Sequence, residues 1–227
     1  MNVQLTWYGH ACWKIETGEH TLLIDPFLSG NPTAPITPDQ VHPDYILVSH
    51  GHGDHLGDTV SIAQRVGATV ISNYEIASYC EGQGCKVHPL HIGGSRDFPF
   101  GRLKLTIAHH GSSFPDGKYA GNPAGFLLTF GKIKIYDAAD TGLFYDMKLI
   151  GEEKLDVALL PIGDNFTMGP DDALRAVKLL KPKVLIPMHY NTFDLISQDA
   201  QSFATRVKRA VPKTRVVVLK PGESFAV

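Results

Sequence analysis

Apolar residues occur along the chain in short runs broken by Gly, Pro and Asp, and the rhythm of those runs changes along the sequence. Near the start, "VQLTWY", "CWKIE" and "TLLID" follow one another closely, with "TGEH" between the last two. Runs of this length with tight polar turns predict a meander of antiparallel strands. The proline-rich "DPFLSGNPTAPITPDQVHPD" then offers little regular structure. Beyond it "YILVS" reads as a buried strand, "DTVSIAQRVG" has helical spacing, and "TVIS" is a further strand, which makes a strand, helix, strand unit. A second strand group follows in "RLKLTIAHH", "GFLLTF" and "KIKIYDAAD", with Gly131 turning the chain between the last two. The final third alternates again: strand "LDVALLPI", a helix over 171–180, strand "KVLIPMHY", a helix near 199–210, and strand "RVVVLKPG". Pro170 at the first helical position, followed by Asp171 and Asp172, favours a helix start there. No linker, repeat or composition shift divides the chain. The pattern predicts an α/β protein made of one domain, residues 1–227, with two β-sheets packed face to face and helices outside.

Against this pattern "VSHGHGDHLGD" stands out, because His50, His52, Asp54 and His55 crowd one glycine-rich turn. A fixed H-x-H-x-D-H pattern would arise in about two of a thousand shuffled sequences of this composition. Further potential ligands fall just past the ends of apolar strands: His50 after "YILVS", His110 after "LKLTIAH", Asp140 after "KIKIYDAA" and His189 after "VLIPM". Buried strands hold their ends rigidly, so groups emerging from neighbouring ends can converge on one point. Imidazole and carboxylate donors suit zinc, manganese or iron rather than a thiolate site. Gly51, Gly53 and Gly57 are read as the residues that let the turn bend. Asp25, before Pro26, is read as a buried acceptor that orients a ligand imidazole.

At 227 residues, 43% hydrophobic and 19% charged, the composition is that of an ordinary globular protein able to bury such a site. The formal charge of −2 supplies no attraction to phosphate backbones, so nucleic acid is unsupported as a partner. No run approaches the ~20 apolar residues of a membrane span, and the N-terminus lacks the pattern of a signal peptide. The expected compartment is the cytoplasm, in keeping with only three cysteines, Cys12, Cys80 and Cys85. Cys80, Cys85, His88 and His91 have a spacing permitted for a small zinc site, but Pro89 within a strand-like segment argues against a closed tetrahedron. Lys208, Arg209, Lys213 and Arg215 are read as a solvated helix face.

The motifs resemble those of the metallo-β-lactamase-fold hydrolases: "HGHGDH" matches their H-x-H-x-D-H motif, and "AHHGSS", "AADTG" and "PMHYNTF" match later ligand-bearing segments. "YGHACWKIE", "IDPFLSGNP", "LLPIGDNFTMGPDDA" and "IPMHYNTF" look more narrowly like a single-domain metal-dependent hydrolase group related to the ascorbate-phosphate lactonases. The resemblance spans nearly the whole chain. It implies a four-layer αββα sandwich with two divalent metals at one edge, zinc first and manganese or iron as alternatives. His50, His52 and His110 would ligate one metal, Asp54, His55 and His189 the other, and Asp140 would bridge them. The A-x-H-G-S frame selects His110 over His109, and strand alternation would set the two on opposite faces. One departure is "DAAD" at 137–140, where related sequences read H-A-G-D.

The expected chemistry is hydrolysis of a small ester, lactone or phosphodiester by a hydroxide held between two metals, with Asp54 able to accept or pass on a proton. An RNA-processing nuclease and a non-catalytic metal-dependent binding protein are the alternatives. Iron oxidoreductases of the fold carry a glutamate-containing ligand motif and a flavin domain, and this chain has neither. His10 has two readings, one near the substrate and one hydrogen-bonded between strands; Ser112, Ser113, Asp164, Asn165, Thr167 and Asn191 are candidate pocket residues. The expected partner is a small molecule, with homo-oligomerisation left open.

Overall fold

A computed structural model describes residues 2–227. The first half builds one sheet from β1 (Gln4–Trp7), β2 (Trp13–Glu16), β3 (Thr21–Ile24), β4 (Tyr45–Leu47), β5 (Thr69–Asn73) and β6 (Lys86–Leu90), with α1 (Gly53–Leu56), α2 (Thr59–Val66) and α3 (Tyr74–Gly82) between the later strands. The second half builds the other from β7 (Ser95–Phe98), β8 (Gly101–Ile107), β9 (Ala124–Phe130), β10 (Ile133–Asp137), β11 (Val157–Pro161), β12 (Val184–Met188) and β13 (Arg215–Val216). Helices α4 (Met147–Gly151), α5 (Pro170–Leu180) and α6 (Ala200–Ala210) connect its later strands, and β14 (Ser224–Ala226) returns to the edge of the first sheet. The strand orders are β14-β1-β2-β3-β4-β5-β6 and β13-β12-β11-β10-β9-β8-β7.

The first three strands are the antiparallel meander read from the sequence, and β3 to β6 are parallel, as strand, helix, strand connections require. Alternation along these strands sorts the core into layers. Leu22, Ile24, Leu47 and Ile71 join the inter-sheet core with Phe126, Leu128 and Ile135 of the other sheet. Leu23, Ile46 and Val70 point outward and are covered by Ile62 and Ala63 of α2 and Ile76 of α3. Both faces are thus buried, which is why these segments read as continuous apolar runs. On α5, Ala173, Ala176, Val177 and Leu180 form the buried stripe, and Lys181 ends the helix in a left-handed conformation. Asp199 caps α6 by accepting from the Gln201 and Ser202 amides.

Beyond the short elements α1, α4, β7 and β14, which the pattern did not predict, the structure departs from the expected elements in three places. "RVVVLKPG" forms a strand only at Arg215–Val216. Helix α3 lies in a stretch to which the pattern assigned no element, its start fixed by the Asn73 side chain accepting from the Ile76 amide. Strand β8 stops at Ile107, so His109 and His110 lie beyond the pleat and alternation does not set their directions. No described helix is long and apolar enough to cross a membrane.

Candidate metal centre

The segments that bear the candidate donors all leave strands at one edge of the sandwich. His10 sits in the β1–β2 turn, Asp25 follows β3, and His50 to His55 follow β4; from the facing sheet come His110 beyond β8, Asp140 beyond β10 and His189 directly after β12. The backbone there is contorted: His10, Asp25, Ala139 and His189 take positive φ angles of 53°, 43°, 51° and 54°. Such angles are costly for residues with a Cβ, and they concentrate where a fold holds side chains in set positions. Two glycines of the histidine-rich turn have steric reasons. A Cβ on Gly51 would lie 2.3 Å from the Ala120 Cβ, and one on Gly57 would lie 2.3 Å from the Pro26 carbonyl oxygen. Gly53, by contrast, has open space and needs no glycine, contrary to the sequence reading.

The donors assemble into two adjacent groups. His50, His52 and His110 form one; Asp54, His55 and His189 form the other, together with His10. Asp140 touches both, its Oδ2 lying 3.5 Å from His110 Nε2, 3.4 Å from His55 Nε2 and 3.0 Å from His189 Nε2. His109 stays outside, its ring packed edge-on against Phe144.

Hydrogen bonds fix which ring nitrogens face inward. Asp25 is buried and accepts from His55 Nδ1 at 2.8 Å, so His55 presents an unprotonated Nε2 to the cluster whenever it is neutral. Asp25 also accepts from the Ser49 amide and hydroxyl, at 2.7 and 2.5 Å. With its only proton committed to Asp25, the Ser49 hydroxyl must accept from His50 Nδ1, 2.9 Å away, which leaves His50 Nε2 as a lone pair facing inward. One carboxylate therefore sets two imidazoles, one directly and one through a serine. His10 is engaged at both nitrogens, with Thr192 Oγ1 at 2.9 Å and Asp54 Oδ2 at 3.2 Å. Because the carboxylate can only accept, His10 Nε2 donates to it and Nδ1 accepts from Thr192.

Electrostatics follow from burial and from these neighbours. Burial, aided by the charge of His189, lowers the His10 pKa to about 4, so this ring is neutral at pH 7. Burial and the charge of His55 hold His50 well below the ordinary histidine value. Burial also opposes charge on His55, but the Asp140 and Asp25 carboxylates outweigh it and push its pKa well up. Burial disfavours ionised Asp140, yet His189 and His55 hold its pKa well below the carboxylate range. Asp54 is likewise depressed, because the His10 hydrogen bond and the His55 charge overcome its burial. Asp137 behaves oppositely: burial, with the nearby Asp25 and Asp140 charges, outweighs the Ala139 amide and the His55 charge and pushes it up to about 8.

These donors fit divalent cations on a direct observation. His55 Nε2, both nitrogens of His189, and Asp140 Oδ1 are buried with no hydrogen-bond partner. The 3.0 and 3.4 Å approaches of Asp140 to His189 and His55 are too poorly aligned to satisfy those nitrogens. Buried polar atoms are normally paired, and several left over at one point form a donor set that cations would satisfy. Nitrogen and oxygen donors without thiolate suit zinc, manganese or iron.

Other candidates are placed elsewhere. The Ser112 hydroxyl braces the turn, accepting from the Gly51 amide and donating to the Ala120 carbonyl. Ser113 bridges to Tyr119. Asn191 caps its own loop by accepting from the Gln198 amide and lines a cavity of about 500 Å³ with Trp7 and Tyr190. Asp164 likewise accepts from the Asn165 amide beside it. Cys80 and Cys85 are free and buried, and no group of potential ligands among the described residues includes them. The sequence reading gave Ser49 and Thr192 no role, although each lies within a quoted motif, "VSHGHGDHLGD" and "PMHYNTF".

Comparison with known proteins agrees with this architecture. The family model for the Beta-lactamase superfamily domain matches residues 4–189. A metal-dependent hydrolase of Heliobacterium modesticaldum is 52% identical, with 98% of this chain and 97% of that protein covered. One from Desulforamulus reducens is 55% identical, covering 97% and 98%. The solved structure of a metallo hydrolase from the hyperthermophilic archaeon Ignicoccus hospitalis is 36% identical and superposes with a TM-score of 0.92, covering 100% of this chain and 99% of that one.

Proposed function

The chain belongs to the beta-lactamase superfamily of metal-dependent hydrolases, and from that membership we propose a binuclear enzyme that cleaves a small ester or lactone, or a phosphodiester. The observation that carries this reading is the pair of donor groups joined by Asp140, with buried nitrogen and oxygen atoms that no protein group satisfies. His50, His52 and His110 would hold one cation, Asp54, His55 and His189 the second, and Asp140 would be shared. When bound, such cations supply Lewis acidity and bring the pKa of water toward neutrality, so that no serine or cysteine nucleophile is needed.

The chain's own residues do the rest. Asp25 sets the His55 ring and, through Ser49, the His50 ring, so that both offer Nε2 without reorganisation. Neutral His10 holds Asp54 Oδ2 by donating from Nε2 and is itself held by Thr192. The Asp54 side chain is 34% exposed, whereas those of His55, Asp140 and His189 are at most 3% exposed. It is the carboxylate of the centre that incoming water and substrate can reach, and the one placed to accept or pass on a proton.

The test is elemental analysis of the purified protein, followed by assays of zinc-, manganese- and iron-reconstituted forms on ester, lactone and phosphodiester substrates. Two metals per chain and turnover are expected. One metal, or none, in fully folded protein would overturn the binuclear assignment.

A further inference from the structure

Two phenylalanine rings stand on His10, the residue that holds the partly exposed Asp54 carboxylate. Phe27 and Phe193 both meet the His10 ring edge-on, with centroids 5.7 and 5.6 Å from it, and lie 6.4 Å from each other. His10 is fully buried beneath them and in contact with Asp54. The two rings are therefore within one side chain of the reactive carboxylate.

Neither ring is closed off in the core. Phe193 is 41% exposed and Phe27 is partly exposed. Both are held by the groups that build the centre. The Phe27 amide donates to the carbonyl of Asp25, and Phe193 follows Thr192, whose hydroxyl is tied to His10. A rigid, water-exposed aromatic pair next to a polar centre is a poor use of apolar surface unless something covers it. More apolar surface lies on the same and the adjoining loop, where Leu195 is 69% and Phe166 52% exposed, and Gln198 links the two loops through the Gly163 carbonyl.

Charge narrows the choice of occupant. The segments around the centre, residues 9–12, 25–33, 48–58 and 162–173, contain no Lys or Arg, and the first cations in the other loops are already engaged: Lys118 pairs with Asp116, Lys148 lies over the Tyr145 ring and Arg206 pairs with Asp171. These segments and loops do contain Asp164, Asp194 and Asp199. Sites that recognise phosphate or carboxylate groups on a substrate ordinarily supply guanidinium or ammonium partners. Here the donor-bearing turns offer none and the neighbouring cations are engaged elsewhere, so RNA would meet no continuous basic track.

We propose that Phe27 and Phe193 form a subsite for an apolar group, and that the substrate is an uncharged carboxylic ester or lactone bearing an aryl or alkyl substituent on its acyl side. This rests on the hydrolase reading above and narrows it, setting phosphodiesters and RNA aside.

Binding and turnover test it separately. Ligand-observed NMR titration of the metal-loaded protein would compare 4-phenylbutan-2-one with butan-2-one, two uncharged ketones that cannot be hydrolysed. The phenyl compound is expected to bind about tenfold more tightly, with most of that preference lost in Phe193→Ala and in Phe27→Ala and largely kept in Phe193→Leu. Equal binding of the two ketones, or unaltered preference in both alanine variants with unchanged melting temperature, would overturn the subsite. In kinetics, methyl 3-phenylpropanoate is expected to exceed methyl acetate about tenfold in kcat/KM, the leaving group being the same. Faster turnover of a phosphodiester than of either ester would also overturn the proposal. Intact ketone preference with no turnover of any substrate would support the subsite and count against the hydrolase reading alone.

Discussion

Asp25 accepts a 2.8 Å hydrogen bond from His55 Nδ1, with both side chains buried, and the opposite nitrogen of that ring faces Asp140 without a hydrogen bond of its own. The carboxylate lies outside the donor pair yet determines which nitrogen the pair can use. Through Ser49 it does the same for His50.

Asp25→Ala should therefore weaken metal binding without removing a proposed ligand, by about 10–100-fold. Ser49→Ala breaks only the relay to His50 and should fall at the low end of that range. Competition with a chromogenic chelator reads both, and affinities equal to the parent's would show that orientation of these rings contributes nothing.

His52→Ala and Asp140→Ala should separate the two groups. His52 belongs to one of them, so its loss should leave close to one metal per chain, while Asp140 touches both and its loss should weaken each. Metal content after gel filtration is the readout, and full occupancy in both variants would contradict the assignment.

Asp137 makes stability depend on pH. Its folded pKa is raised to about 8 by burial, against an ordinary value of 3.8. Between these values the folded chain holds a proton that the unfolded chain has released, so this group's contribution is fully present below about pH 4. It falls as pH rises and is lost by about pH 8, a change on the order of a few kcal/mol. Asp137→Asn keeps an acceptor for the Ala139 amide and removes the titration. In chelator-treated protein its melting temperature should gain on the parent's from pH 5 to pH 9; parallel profiles would mean that burial does not act on this carboxyl.

Ala139 lies in the left-handed region at φ 51°, fully buried, at the position where the family pattern carries glycine. The strain costs an L-residue about 1–2 kcal/mol, partly offset by the extra unfolded-state entropy that a glycine brings. Ala139→Gly should raise stability by up to about 1 kcal/mol in urea unfolding. A lower midpoint would mean that the lost methyl packing outweighs the relief.

Much of this protein was legible along the chain. Short continuous apolar runs and breaker residues located most of the strands, because a strand buried on both faces must be apolar throughout and must end at polar turns. Helix α5 was visible in its Pro170 start and acidic first turn and α6 as a segment between two apolar runs, whereas α3 was not, since its start depends on one Asn73 hydrogen bond. The donors near residue 50 announced themselves through spacing that is local to one turn.

Tertiary structure decided what spacing cannot carry. His110, Asp140 and His189 reach the turn only because the strands preceding them end at the same edge of two facing sheets. The choice of ring nitrogen rests on Asp25 and Ser49, and the pairing of His10 with Asp54 on residues 44 positions apart. Phe27 and Phe193 meet only across loops from opposite sheets. Local sequence sets backbone preference and burial through nearest neighbours, while convergence of distant polar groups is a property of the packed sheets and exists only once they close on each other.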